Sequence, residues 1–278
     1  MNTPHHPLDE AHDRRFGGLD RLYGEGARLA LHHGRIAVVG VGGIGSWAVE
    51  ALARSGIGNI TLIDFDQVAV SNTNRQIQAL DSTFGMAKVS VLEQRIREIN
   101  PDCRVNVIED FLTEENMLQL IPAGAFDMVI DACDQAKIKA ALIAYARPNE
   151  IELVVCGAAG GKTNPLKLRQ DDLGRTAHDA LLVRVRDMLR RNHRVLPRKN
   201  RKYGVSSIFI DEPTRRNTAC TTSNLGCSGY GSVVTVTAAM GFAAAALCLN
   251  KLVAHLLEAE SADEQIPATI ATDSEESP

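Results

Sequence analysis

Aromatic side chains are scarce in this sequence: Phe, Tyr and Trp make up 4% of its 278 residues, with a single Trp. A core without them rests on Val, Ile, Leu and Ala, which suits a sheet covered by helices. Cysteines number six, and none forms a Cys-x-x-Cys pair. No paired zinc framework and no disulfide scaffold is implied, so a reduced, cytoplasmic compartment is the default. The net charge is only −4, so any case for a nucleic-acid partner must come from a local cluster of cations rather than from the total. The opening stretch, with Pro4, His5, His6 and Pro7, lacks an apolar signal core. Residues 1–14 are expected to be a mobile tail, and so is the acidic segment 258–278, which offers little to bury. Internal repeats are absent.

What is present is an alternation. Ile36–Val41, Asn59–Asp64, Val105–Ile108, Asp127–Asp131, Leu153–Cys156 and Val205–Asp211 read as strands. Ile44–Ser55, Met86–Ile99, Gln135–Ala146, Asp179–Asn192 and Val233–Leu257 read as helices, the second stopped by Asn100-Pro101. Strands alternating with helices predict an α/β fold: a Rossmann-like, doubly wound, mostly parallel sheet with a C-terminal extension, in one domain over residues 15–257.

Gly40-Val41-Gly42-Gly43-Ile44-Gly45-Ser46 joins the first strand to the first helix. Gly40 permits a tight turn, Gly42 and Gly43 leave room for a phosphate against the backbone, and Gly45 lets helix and sheet pack closely. The helix N-terminus then offers amides and a positive dipole end to an anion. Asp64 closes the second strand, about 24 residues after Gly40, near the spacing of a ribose-binding carboxylate. This motif predicts a bound nucleotide without choosing between a dinucleotide and ATP. The residues beyond Asp64 make that choice: Asp66, then Asn72-Thr73-Asn74-Arg75-Gln76, then Lys88. A triphosphate needs such groups, because its charge must be held and offset as pyrophosphate leaves. Asp131-Ala132-Cys133-Asp134 ends a later strand at the carboxyl edge of the sheet, where a carboxylate could hold Mg²⁺.

At these residues the chain resembles the ThiF/MoeB superfamily, which is related to ubiquitin-activating enzymes. The matching positions are Gly40, Gly42, Gly43, Gly45, Asp64, Asn72, Arg75, Gln76, Lys88 and Asp134, in order and at close spacing. The resemblance implies that Asp64 binds ribose, that Asn72, Arg75 and Lys88 contact phosphates, and that Asp134 supports Mg²⁺ binding and adenylation. Gly157-Ala158-Ala159-Gly160-Gly161, Gly226-Cys227-Ser228-Gly229-Tyr230-Gly231, Arg15-Phe16-Gly17-Gly18 and Arg21-Leu22-Tyr23-Gly24 resemble stretches of one branch, the bacterial tRNA threonylcarbamoyladenosine dehydratases. That branch implies ATP-dependent cyclisation of N6-threonylcarbamoyladenosine in tRNA, a homodimer, a cysteine-desulfurase sulfur-acceptor protein as a partner, and a monovalent cation beside ATP and Mg²⁺.

Three further features bear on the branch. A basic insert around residues 178–204 gathers Arg184, Arg186, Arg190, Arg191, Arg194, Arg198, Lys199, Arg201 and Lys202, and between Arg184 and Lys202 only Asp187 opposes them. Such clustering suits either a polyanion or a solvated basic face, and the resemblance to the dehydratases implies RNA. Cys227 lies in a glycine-rich loop ahead of a helix, where a lowered pKa would make it a nucleophile; an intramolecular cyclisation needs no thioester, so a catalytic role is the minor reading. Leu225–Asn250 carries no charge and is long enough to span a bilayer, but its Gly, Ala, Ser and Thr content favours a buried helix or a dimer contact, with peripheral membrane association left open. Two rival functions stand beside the dehydratase: adenylation of a ubiquitin-like sulfur-carrier protein, and an NAD-binding oxidoreductase or regulatory module, which leaves Arg75 and Lys88 unexplained.

Overall fold

A computed structural model describes residues 10–215 and 230–263, with the backbone alone for Arg201 and residues 255–263. Three short helices open the chain: α1 (Glu10–Phe16), α2 (Gly18–Tyr23) and α3 (Ala27–His33). Next come β1 (Arg35–Val39), α4 (Gly45–Arg54), β2 (Asn59–Ile63), α5 (Lys88–Ile99), β3 (Arg104–Ile108), α6 (Met117–Leu120), β4 (Met128–Asp131) and α7 (Ala136–Ala146). The chain continues through β5 (Leu153–Cys156), β6 (Leu168–Asp172), α8 (Ala180–Arg191), β7 (Ser206–Ile210) and α9 (Val234–Asp263).

The seven strands form one sheet in the order β3-β2-β1-β4-β5-β7-β6. Every pairing is parallel except that of β6 with β7, so the expected α/β, doubly wound, mostly parallel architecture is observed. β1 supplies the reason for its burial on both sides. Ile36 and Val38 join a core with α4, α5 and α9, while Ala37 and Val39 join a second core with α7 and α8. A strand covered on both faces reads as a continuous apolar run, as this one does. The sheet reverses its winding between β1 and β4, and a crevice opens at the carboxyl ends of the strands there.

The structure differs from the sequence reading at the margins. Helix α1 spans Glu10–Phe16, across the expected domain start at 15, and its His12 and Phe16 are buried. β6 is an addition: Leu168-Arg169-Gln170-Asp171-Asp172 carries one apolar residue, and only its ladder with β7 makes it an edge strand. The second long helix starts at Lys88 rather than Met86, because Ala87 bridges to Gln67. The apolar C-terminal run is a core helix. Val234–Ala254 has the length and hydropathy of a membrane span, yet half of that window is buried. Val236, Met240, Ala244, Ala245, Cys248 and Leu249 all sit in the core with α4.

Candidate active site

The first turn of the nucleotide motif is set by backbone contact. Gly40 has φ +79°, a left-handed conformation that costs glycine nothing. A side-chain carbon on it would also lie 2.9 Å from the Cys133 backbone nitrogen. Gly45 is tighter still, because a carbon there would fall 1.9 Å from the Gly40 carbonyl oxygen. Gly45→Ala is therefore expected to destabilise the protein by about 1–3 kcal/mol and to weaken ATP binding. Thermal denaturation with and without ATP checks this, and an unchanged midpoint would mean that the turn yields easily.

Asp64 stands across from the turn. Its Oδ2 accepts from Val41 N at 2.8 Å and its Oδ1 from Asp66 N at 2.8 Å. Burial raises the Asp64 pKa above its ordinary value, against the Lys88 charge and these two N–H groups, which act to lower it. Each carboxylate oxygen keeps a second lone pair, enough to accept from ribose hydroxyls. Lys88 opens α5 with its side chain buried, and its Nζ lies 2.7 Å from Asp66 Oδ2. Its backbone N–H donates to Asp66 O at 3.0 Å. Asn72 is buried, and its Oδ1 accepts from Ala69 N at 3.0 Å. Arg75 is half-buried, and Nη1 donates to Ser71 O at 2.6 Å and to Asn74 Oδ1 at 3.1 Å. The Arg75 backbone oxygen accepts from Trp47 Nε1 and from Thr237 Oγ1, both at 3.1 Å, so α4 and α9 together fix the arginine. Gln76 Oε1 accepts from Gln78 Nε2, which also donates to Val41 O of the glycine turn.

These residues converge. Gly40, Gly42, Gly43, Asp64, Asp66, Asn72, Arg75, Gln76, Lys88 and Asp134 all line one cavity of about 460 Å³ at the carboxyl ends of β1, β2 and β4, within the range of small-molecule sites. Gly45 lies beneath it as a packing position. The sequence reading missed Asp110, Phe111 and Leu112 after β3, together with Gln135 and Ile138 at the start of α7, which line the same cavity. Their only signal was a position just past a strand end, and that counts only once β3 is known to lie beside β2. Phe111 meets Phe65 at 5.0 Å between ring centroids at the cavity lip. The cavity thus gathers the glycine turn, the cations Arg75 and Lys88, the apolar Phe111, Leu112 and Ile138, and the carboxylates Asp64, Asp66, Asp110 and Asp134. This set fits a nucleoside triphosphate, with Asp134 a candidate ligand for a hard cation that takes other ligands from phosphate and water.

Cys133 also lines the cavity, and burial and the neighbouring Asp131 carboxylate push its thiol pKa up. Burial likewise raises Cys103, Cys156 and Cys248 to about 12. All four described cysteines are therefore held as thiols, unlike an activated nucleophile. Cys227 lies outside the described residues. The stretches that flank it do meet: Gly161 N donates to Gly231 O at 2.8 Å, which brings the two glycine-rich segments together beyond β5.

The basic insert lies elsewhere. Asp179 caps α8, accepting from Leu182 N at 2.9 Å, and its other oxygen accepts from Ala158 N just past β5. From there α8 runs back toward the amino edge of the sheet. Arg198 lines a separate cavity with Glu152, Leu153, Tyr203 and Ser206, at the starts of β5 and β7. Arg184, Arg190, Arg191, Arg194, Arg198, Lys199 and Lys202 are exposed, and Arg190 pairs with Asp187. Arg186 departs from the expected set. It is half-buried, and its guanidinium donates to Leu173 O at 3.0 Å, to Thr176 O at 3.3 Å and to Thr176 Oγ1. Burial lowers its pKa, and its donors hold the β6–α8 connection instead of facing solvent. The Arg201 side chain lies outside the described part.

The ThiF family model matches residues 14–274. The tRNA threonylcarbamoyladenosine dehydratase of Escherichia coli (strain K12) is 45% identical over 259 residues, covering 89% of this chain and 96% of that protein. The Haemophilus influenzae protein of the same name is 42% identical over 246 residues, covering 87% and 94%. The crystal structure of the E. coli tRNA N6-threonylcarbamoyladenosine dehydratase in complex with ATP matches with a TM-score of 0.84 at 44% identity, covering 90% of this chain and 98% of that one.

Proposed function

This chain belongs to the ThiF family, and from that premise we propose that it is an adenylating enzyme that dehydrates N6-threonylcarbamoyladenosine in tRNA at the expense of ATP. The observation that carries the reading is the near-full-length likeness to dehydratases of that name, and the set of triphosphate-binding groups around one cavity supports it. In the first step an oxygen of the threonyl carboxylate bonds to the α-phosphorus of ATP, and the bond to the leaving pyrophosphate breaks. In the second, the carbamoyl group of the same nucleoside attacks the acyl carbon, gives up a proton, and the bond to AMP breaks. The nucleoside loses one water in all. Adenylation makes a poor leaving group good, and the site aligns two ends of one molecule.

The roles follow the geometry. Asp64 takes the ribose, Phe111 and Ile138 flank the base, and the glycine turn with Asn72 and Gln76 seats the phosphates. Arg75 and Lys88 offset charge on the departing pyrophosphate, and Asp134 would hold Mg²⁺, which would supply further charge neutralisation at the phosphates. The exposed cations of the insert hold the tRNA backbone. Sheet strands of five residues are only about 16 Å long, so an RNA stem and loop can reach from the amino edge to the cavity. A homodimer through the exposed Val234 and Phe242, the latter beside Trp47, a cytoplasmic location, a sulfur-acceptor protein as a partner and a monovalent cation complete the proposal.

Incubation with ATP, Mg²⁺ and bulk tRNA, followed by nucleoside mass analysis, tests it. The modified adenosine should lose the mass of one water. Unchanged nucleosides, with AMP formed only when a ubiquitin-like carrier is added, would move the chain to the carrier-activating reading. Cys227→Ser should keep a good part of the activity, since ring closure bypasses a thioester. Complete loss in a folded variant, with a thioester trapped on the wild type, would reverse that.

A further inference from the structure

Behind the wall of the cavity, β4 ends in a buried ion pair. Asp131 and Lys139 are both fully buried, with Nζ 2.8 Å from Asp131 Oδ1. The same ammonium donates to the Asp131 backbone oxygen at 3.0 Å. Asp131 Oδ1 also accepts from the Cys133 backbone N–H at 3.2 Å. The carboxylate thus turns the chain directly after the strand, and the lysine, reaching back from α7, clamps both its side chain and its backbone. Asp131 Oδ2 is buried with no hydrogen-bond partner among the described residues. Burial works against the Lys139 charge, but the Asp131 carboxylate overcomes this and holds the lysine pKa above its ordinary value.

A buried pair of this kind is a poor source of stability, because the desolvation of both charges offsets their attraction, and apolar replacement of both partners is often neutral or better. Its placement suggests another use. The clamped turn, Ala132–Asp134, carries Asp134 on the cavity wall. Ala132 N donates to Val39 O at 2.9 Å, and Gly40 stacks directly on the Cys133 backbone. One turn therefore sets both the position of the Asp134 carboxylate and the seat of the glycine loop.

We propose that Asp131 and Lys139 are positioning residues for adenylation, a tether that holds the Ala132–Asp134 turn so that Asp134 and the glycine loop face the same triphosphate. The proposal rests on the reading of Asp134 as the carboxylate that holds Mg²⁺. A misplacement of about 1 Å at a reacting centre is enough to cost on the order of a hundredfold in rate, so the tether matters to rate more than to folding.

The test compares two neutral replacements of the pair, in full-length protein. Asp131→Leu with Lys139→Met removes the acceptor for Cys133 N. Asp131→Asn with Lys139→Gln keeps an oxygen there. Melting temperature, kcat for AMP formation per ATP-binding site, and the Mg²⁺ concentration giving half-maximal rate are measured for both. The expected result is a folded apolar pair with kcat reduced at least about tenfold and a raised Mg²⁺ requirement, while the amide pair recovers most of the rate. If the apolar pair fails to fold, Asp131→Asn with Lys139→Met, which buries no charge and removes only the lysine clamp, should show the same direction of shift in Mg²⁺ requirement when assayed below its melting temperature. An apolar pair, or this mixed pair, with wild-type kcat and Mg²⁺ dependence would overturn the proposal, as would an amide pair impaired as deeply as the apolar one. Asp134→Asn serves as the reference. If it too is fully active, the reading of the site has failed; if it is inactive while the apolar pair is not, only the tether has.

Discussion

Arg75→Ala is expected to lower kcat by about a hundredfold or more, with a smaller change in the KM for ATP. The arginine is held in advance of reaction. Ser71 O and Asn74 Oδ1 accept from its Nη1, and its backbone oxygen is pinned by Trp47 and Thr237. A preset guanidinium needs no reorganisation when charge grows on the leaving pyrophosphate, which is why its loss should fall on the transition state. Trp47 and Thr237 act on the backbone, so their hydrogen bonds survive the substitution and the fold should hold. Steady-state rates of AMP formation with saturating tRNA decide it. A fall in ATP affinity alone would make Arg75 a ground-state contact, and an unchanged kcat would remove it from the mechanism.

Replacing Arg190, Arg191, Arg198 and Lys199 together with Ala is expected to weaken tRNA binding strongly and to flatten its salt dependence. The slope of log affinity against log salt should change by roughly 0.7 to 0.9 for each phosphate left without a cation. All four side chains are exposed, none of them lines the cavity of the glycine turn, and Arg198 lies at the starts of β5 and β7. ATP binding should therefore stay as in the wild type. Arg186 is left out of the set because its donors serve Leu173 and Thr176, and its loss would damage the β6–α8 connection. Filter binding or anisotropy over a salt series, with calorimetry for ATP, gives both readings. If tRNA binds as tightly at every salt concentration, the insert is a solvated face, and the RNA reading rests on family likeness alone.

Legibility tracked the range of the interactions involved. The glycine turn could be read because its requirements are local: a left-handed residue at Gly40 and space at Gly45 are conditions on a few consecutive residues. Asp64, Asn72, Arg75 and Lys88 could be read because they come after that turn at short, ordered intervals. The antiparallel edge strand β6 could not, since its polar residues take strand form only through the ladder with β7. Nor could Arg186 be separated from its neighbours. In the sequence it is one cation among nine, and burial against Thr176 is what sets it apart.

The sequence by itself determined the strand–turn–helix start of the fold and the parallel α/β class, and it picked out Gly40, Asp64, Arg75 and Lys88, which line one cavity, because periodicity and turn chemistry are properties of short segments. Only the tertiary structure decided which strand ends share the crevice. The order β3-β2-β1-β4 brings Asp110 and Phe111 from one loop and Asp134 and Ile138 from another against the same cavity, and no local pattern encodes a neighbour many residues away. Likewise Lys139 looks in sequence like a stray charge in an apolar helix. It becomes a clamp on Asp131 because α7 folds back along β4, and a charge buried there can persist only beside its counter-charge.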